Sequence, residues 1–181
     1  MSLSVVYAAD TGHVLGALEL TGGGTPADVA ALVGPGLPLR VTAKLGGTAL
    51  NLPMAARRLG AAAVDDEPGA FTDPLAFGVE LTAAGQPKPA LAQLSPWPVT
   101  DPVTLTTSTL SVTLPAPVTR GTPVLVLVSG DTEPSVTSGQ LQAGQQEVGV
   151  QVRLRNGDEH GVLVLIAGQA GLLAAKVVAD A

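Results

Sequence analysis

Short runs of Val, Leu and Thr, each closed by a turn signal, fill residues 103–181. This punctuation constrains the fold more than any other feature of the chain. Residues 103–114 are rich in Thr, Leu and Val. The run Val124-Leu125-Val126-Leu127-Val128 has no polar alternation, the pattern of a strand buried on both faces. Gly130-Asp131 turns it. Over residues 146–155, Val148, Val150, Val152 and Leu154 alternate with Gln151, Arg153 and Arg155, which gives a strand one apolar face and one wet face. Asn156-Gly157-Asp158 is a strong hairpin signal, residues 161–167 return, and residues 172–178 form a last strand or a short helix. Short strands with turns at regular spacing predict a β-sandwich over residues 103–181.

The layout expected is roughly immunoglobulin-like. This is an architectural likeness only, because the chain has no cysteine and so no Cys…Trp…Cys pattern. The N-terminal residues 1–84 read as a smaller β-rich α+β unit. Residues 3–8 and 13–20 form a hairpin around Asp10-Thr11-Gly12, and Gly22-Gly23-Gly24 ends it. A helix is expected next, with Thr25 as cap, Pro26 in the first turn and Asp28 near the positive end of its dipole. It runs to Val33 before Gly34-Pro35-Gly36. Leu39, Val41 and Ala43 alternate into a strand that turns at Gly46-Gly47 into residues 48–52. Residues 53–59 suit a short helix, 65–73 an acidic loop and 75–81 a strand. Residues 85–102 carry Pro87, Pro89, Pro96, Pro98 and Pro102 and are expected to be a stiff linker.

Composition limits the function classes. Aromatic residues are 2% of the chain, so the core must come from Val, Leu and Ala. Charged residues are 13%, against roughly 25% in ordinary domains. A surface so poor in charge is weakly protected against association, which points to coverage by neighbouring chains. A GC-rich codon bias has the same signature. The net charge of −6 and the lack of a basic patch argue against nucleic acid. Without cysteine there is neither a disulfide framework nor a thiolate metal site. Residues 1–7 lack the features of a signal peptide, and no apolar run reaches about 18 residues, so membrane insertion is not expected. The expected location is the cytoplasm, or a particle assembled there.

Motifs for chemistry are sparse. Asp10-Thr11-Gly12 after an apolar strand resembles the catalytic loop of aspartic proteases. A second such loop is missing, and Asp131-Thr132-Glu133 does not supply it. Asp158-Glu159-His160 reads as a solvated turn rather than a ligand set, since consecutive residues on a hairpin tip diverge. Asp65-Asp66-Glu67 lacks the spacing of a calcium loop. Residues 22–24 lack the Lys-Ser/Thr ending of a phosphate loop. His13 and His160 are placed in turns. No catalytic, cofactor-binding or metal-binding residue is assigned. Trp97, among prolines, is either a lid on one domain or an anchor for a partner.

The expectation is a non-catalytic structural or adaptor subunit of a larger assembly, of phage-tail-like, contractile or capsid type. Its partners would be other protein subunits, as a homo- or hetero-oligomer. The alternative is a sandwich binding module for peptide or carbohydrate, and third comes an aspartic-type hydrolase at Asp10.

Overall fold

Branched and small apolar residues pair into strands wherever a second run can satisfy their backbone. In the computed structural model, which describes residues 2–20, 28–131 and 133–181, strands hold 53% of the described residues and helix 9%. Sheet pairing, not helix packing, therefore builds the cores. In chain order the first elements are β1 (Ser2–Ala8), β2 (Val14–Leu20), α1 (Val29–Val33), β3 (Gly36–Thr42), β4 (Ala49–Ala55), β5 (Leu59–Val64), α2 (Gly69–Thr72), β6 (Phe77–Leu81) and β7 (Pro87–Gln93). Then come β8 (Val103–Leu105), β9 (Thr109–Thr113), β10 (Thr122–Val128), β11 (Ser135–Leu141), β12 (Glu147–Gln151), β13 (Glu159–Ile166) and β14 (Leu172–Val177). Among the described residues, no helix is long and apolar enough to cross a membrane.

The chain divides into two compact units. One comprises residues 1–37, 54–96 and 167–171, the other residues 38–53, 97–166 and 172–181.

In the first unit, an antiparallel sheet of order β2-β1-β5 lies beside the hairpin β6-β7. Leu3, Val5, Val14, Ala62, Val64, Ala70 and Val79 form its core, with Tyr7 and Phe77 against it. Residues 53–59 were expected to be helical. Instead β4 continues through Ala55, one 3-10 turn spans Ala56–Arg58, and β5 follows. Its Leu-Gly-Ala-Ala-Ala-Val sequence has little intrinsic strand preference, so pairing with β1 decides its state. Gly60 sits opposite Tyr7, and a Cβ there would lie 2.4 Å from the tyrosine ring. The ring thus crosses β5 only because residue 60 has no side chain.

Helix α1 starts at Val29, with the Asp28 carboxylate accepting from the Ala30 N–H at 3.1 Å, so Asp28 is its cap. The expected cap at Thr25, with Pro26 and Gly22–Gly24, lies outside the described residues. Residues 87–93, expected within a linker, form β7 against β6. Its prolines are tolerated because a two-stranded sheet is all edge. The Pro89 carbonyl still accepts from Asp65 N–H at 2.8 Å.

In the second unit, one sheet has the order β11-β10-β13-β14 and another the order β12-β9-β8, all antiparallel. Residues from both join one core that includes Leu110, Val112, Val126, Val150, Val162 and Val164. Each such residue contributes about 1.5–3 kcal/mol by leaving water. Leu125, Leu127, Leu163 and Leu165, on the opposite face of β10 and β13, are fully buried too. At Gly161, on that same face of β13, the side chains of Val41, Leu50 and Leu52 lie in contact, so residues 38–53 of the β3-β4 hairpin cover it there. Of residues 172–178, ambiguous in sequence, 172–177 pair with β13 as a strand. The alternating run over residues 146–155 is in strand only over β12.

Candidate interaction edge

The two sheets of the second unit are tied on one side and open on the other. On the tied side, Ala179 bonds Leu105 O and Thr107 N–H at 3.0 and 3.1 Å, linking the chain after β14 to the β8-β9 hairpin. On the open side, β11 and β12 are the outer strands of the two sheets. They are joined by a turn in which Gln142 N–H bonds the Gln145 side chain at 2.6 Å and Val118 exchanges 2.8 Å bonds with Gly144 and Gln145.

A cleft of about 230 Å³ lies between these strands. Val124, Val126, Val148 and Val150 make its floor, and Thr137, Gln140, Gln145 and Glu147 its polar margin. Register explains the exposure. Ser135, Thr137, Gly139 and Leu141 stand opposite Val128, Val126, Val124 and Thr122, so they share the core-facing side of the sheet. The valines are buried, yet Ser135, Thr137 and Gly139 are exposed. A Cβ at Gly139 would meet nothing within 4 Å. The core-facing side of β11 therefore lacks a cover from the second sheet.

Strand β11 was not expected from the sequence. Its Ser-Val-Thr-Ser-Gly-Gln-Leu run is polar and only its last residue is buried, so the apolar alternation that reveals the other strands is missing. The available signal was weaker: Val136 and Thr137 favour strands, and Pro134 and Gly144 bracket the run.

The residues singled out in sequence lie elsewhere. Trp97 is partly buried and packs on the core of the second unit. Asp10 is exposed, and its carboxylate pairs with Arg58 at 2.9 Å. Thr132 lies outside the described residues, between Asp131 and Glu133.

His13, expected in a turn, is instead fully buried. Its Nε2 lies 2.7 Å from the Gln169 carbonyl oxygen and so carries the proton. Nδ1, 2.9 Å from Thr11 Oγ1, accepts from that hydroxyl. Burial holds its pKa below the ordinary histidine value, against the opposing pull of Gln169 and Thr11. The Gln169 side chain donates in turn to Ser95 O at 2.7 Å, which anchors residues 167–171 in the first unit.

The turn expected over Asp158-Glu159-His160 is also corrected, because Glu159 and His160 begin β13. The Glu159 carboxylate accepts from the N–H groups of Lys44 and Leu45 at 2.5 and 2.8 Å. His160 Nδ1 donates to Ser129 O at 2.7 Å. These groups hold chain segments together and do not converge on a shared point. In a comparison with known proteins, no family model and no curated protein matches the chain.

Proposed function

We propose that this chain is a non-catalytic structural or adaptor subunit of a larger protein assembly, joined to its neighbours through sheet edges. One observation carries the reading: β11 is a seven-residue edge strand without charge, exposed beside an open cleft. Such an edge presents unpaired N–H and C=O groups, the template on which another strand adds. The sparse charge of the whole chain agrees with a surface that works in contact with other chains.

We further propose an immunoglobulin-like layout for the sandwich. Its first, second and fifth strands (β8, β9, β12) form one sheet, and its third, sixth and seventh (β10, β13, β14) belong to the other. Both groupings agree with that layout. The fourth strand, β11, lies beside the third, not in the first sheet as in constant-type domains.

A second reading, a peptide-binding module, draws on the same cleft. The cleft has an apolar floor and no aromatic ring, so it suits an extended peptide better than a sugar, which needs a stacking platform.

Light scattering on the purified chain, with native pull-down from its own cells, tests the assembly reading. The expected result is a species heavier than the 18.0 kDa monomer, alone or with a stoichiometric partner. A monodisperse monomer with no partner would overturn it. So would hydrolytic turnover abolished by Asp10→Asn.

A further inference from the structure

We infer that β11 pairs antiparallel with β11 of a second copy of this chain, joining two four-stranded sheets across a two-fold axis near Ser138. The inference rests on the assembly reading above and names its partner and its register.

The first argument is that the other strand edges carry protective devices and β11 does not. Strand β2 has Glu19 and an irregular register against β1. Strand β7 has Pro87, Lys88 and Pro89, and β6 has Glu80 and an irregular register. Strands β3 and β4 contain Pro38 and Pro53. Strand β8 is three residues long, β12 bears Glu147, and β14 bears Lys176, paired with Asp101. The uncharged β5 is bonded past its end to β7 through Asp65 N–H and Pro89 O. Charges, prolines, bulges and shortness are the means by which sheets avoid joining edge to edge. Strand β11 has none of them. Its register against β10 is unbroken over seven pairs, so the edge is regular.

The second argument is that β11 is compatible with itself. Full antiparallel overlap of the seven residues sets Ser138 opposite its symmetry mate. Thr137 then faces the second copy's Gly139, Val136 its Gln140 and Ser135 its Leu141. No charge meets a like charge along the strand, which matters when each copy carries −6. Continuing the same register, Glu133 faces Ala143 and not the other copy's Glu133. The row Ser135, Thr137, Gly139 and Leu141 of the second copy extends the core-facing side of the sheet, where the cover of β11 is missing. A foreign strand could use the same hydrogen bonds, but it would have to match this neutral register by coincidence, whereas a second copy matches it by symmetry.

The chain has no cysteine, so single cysteines report cleanly. Cysteines placed one at a time at 136–140 are oxidised at a concentration where the wild-type chain is dimeric. Ser138→Cys should cross-link to a covalent dimer in high yield, with yields falling on either side. Cross-linking that peaks at another of these positions would keep the edge and overturn the stated register.

Independently, Ser138→Lys and Ser138→Glu should each weaken association at least tenfold, and their equimolar mixture should restore it. Val177→Lys, at the exposed end of β14, should leave it unchanged. Circular dichroism of each variant separates loss of pairing from loss of fold, and a misfolded variant hands the decision to the cysteine series. If the chain dimerises but no cysteine of β11 cross-links and neither charge variant weakens the dimer, the inference fails while the assembly reading stands. A chain that is monomeric alone and assembles only with a different protein also overturns it.

Discussion

His13 is a residue whose surroundings reverse its sequence context. It follows a turn tripeptide, where a polar ring would be solvated, yet it is fully buried between Thr11 and the Gln169 carbonyl. Burial disfavours the imidazolium, so the folded-state pKa lies below 6.5. The unfolded chain then takes up this proton at higher pH than the folded chain does. Stability from this site is complete above about 6.5 and is lost as pH falls toward the folded pKa. Urea midpoints should therefore decline between pH 7.5 and 5.5. His13→Gln, which keeps a donor for Gln169 but does not titrate, should be less stable at pH 7.5 and nearly flat across that range. An equal slope in both proteins would show that the decline comes from other groups.

At the scale of elements, one carboxylate fastens the β3-β4 hairpin to β13. Glu159 caps two consecutive N–H groups at the hairpin tip, while Gly161 lets Val41, Leu50 and Leu52 approach the strand. Hydrogen bonds to a charged acceptor contribute about 1.5–3 kcal/mol when protected, and exposure to water puts this pair below that range. Glu159→Ala should destabilise the chain by about 1 kcal/mol and raise amide exchange at Lys44 and Leu45 at least several-fold, with Glu159→Gln in between. Unchanged exchange at both amides would exclude the clamp. This contact joins residues 115 positions apart, so nothing local to either segment announces it. The same holds for β5, whose Ala-rich run reads as helical or neutral until β1 pairs with it.

At the scale of the whole molecule, net charge and edge chemistry oppose each other. Two copies at −6 repel, while the β11 strand proposed to join them is neutral. Raising ionic strength from about 0.01 M to about 0.1 M shortens the screening length from about 30 Å to about 10 Å. If β11 joins two copies, their dissociation constant should fall over that interval, with most of the change in the association rate. Weaker association in salt would mean that opposite charges hold the copies together, contrary to the neutral register.

The sequence by itself determined the mainly β character, because Val- and Thr-rich runs between Gly and Pro turns have few other ways to satisfy their backbone. It also pointed to the strands β10, β12 and β13, whose burial is written in their own side chains, while the run over residues 103–114 did not show its division into β8 and β9. It excluded thiolate chemistry through the absence of cysteine. Only the tertiary structure decided the rest. Burial of His13, the pairing of Ala-rich β5 and the covering of β13 by the β3-β4 hairpin all depend on partners distant in the chain. The polar strand β11 is the plainest case. An edge strand is held by backbone bonds to its neighbour and buries almost nothing of its own, so periodicity is silent on it.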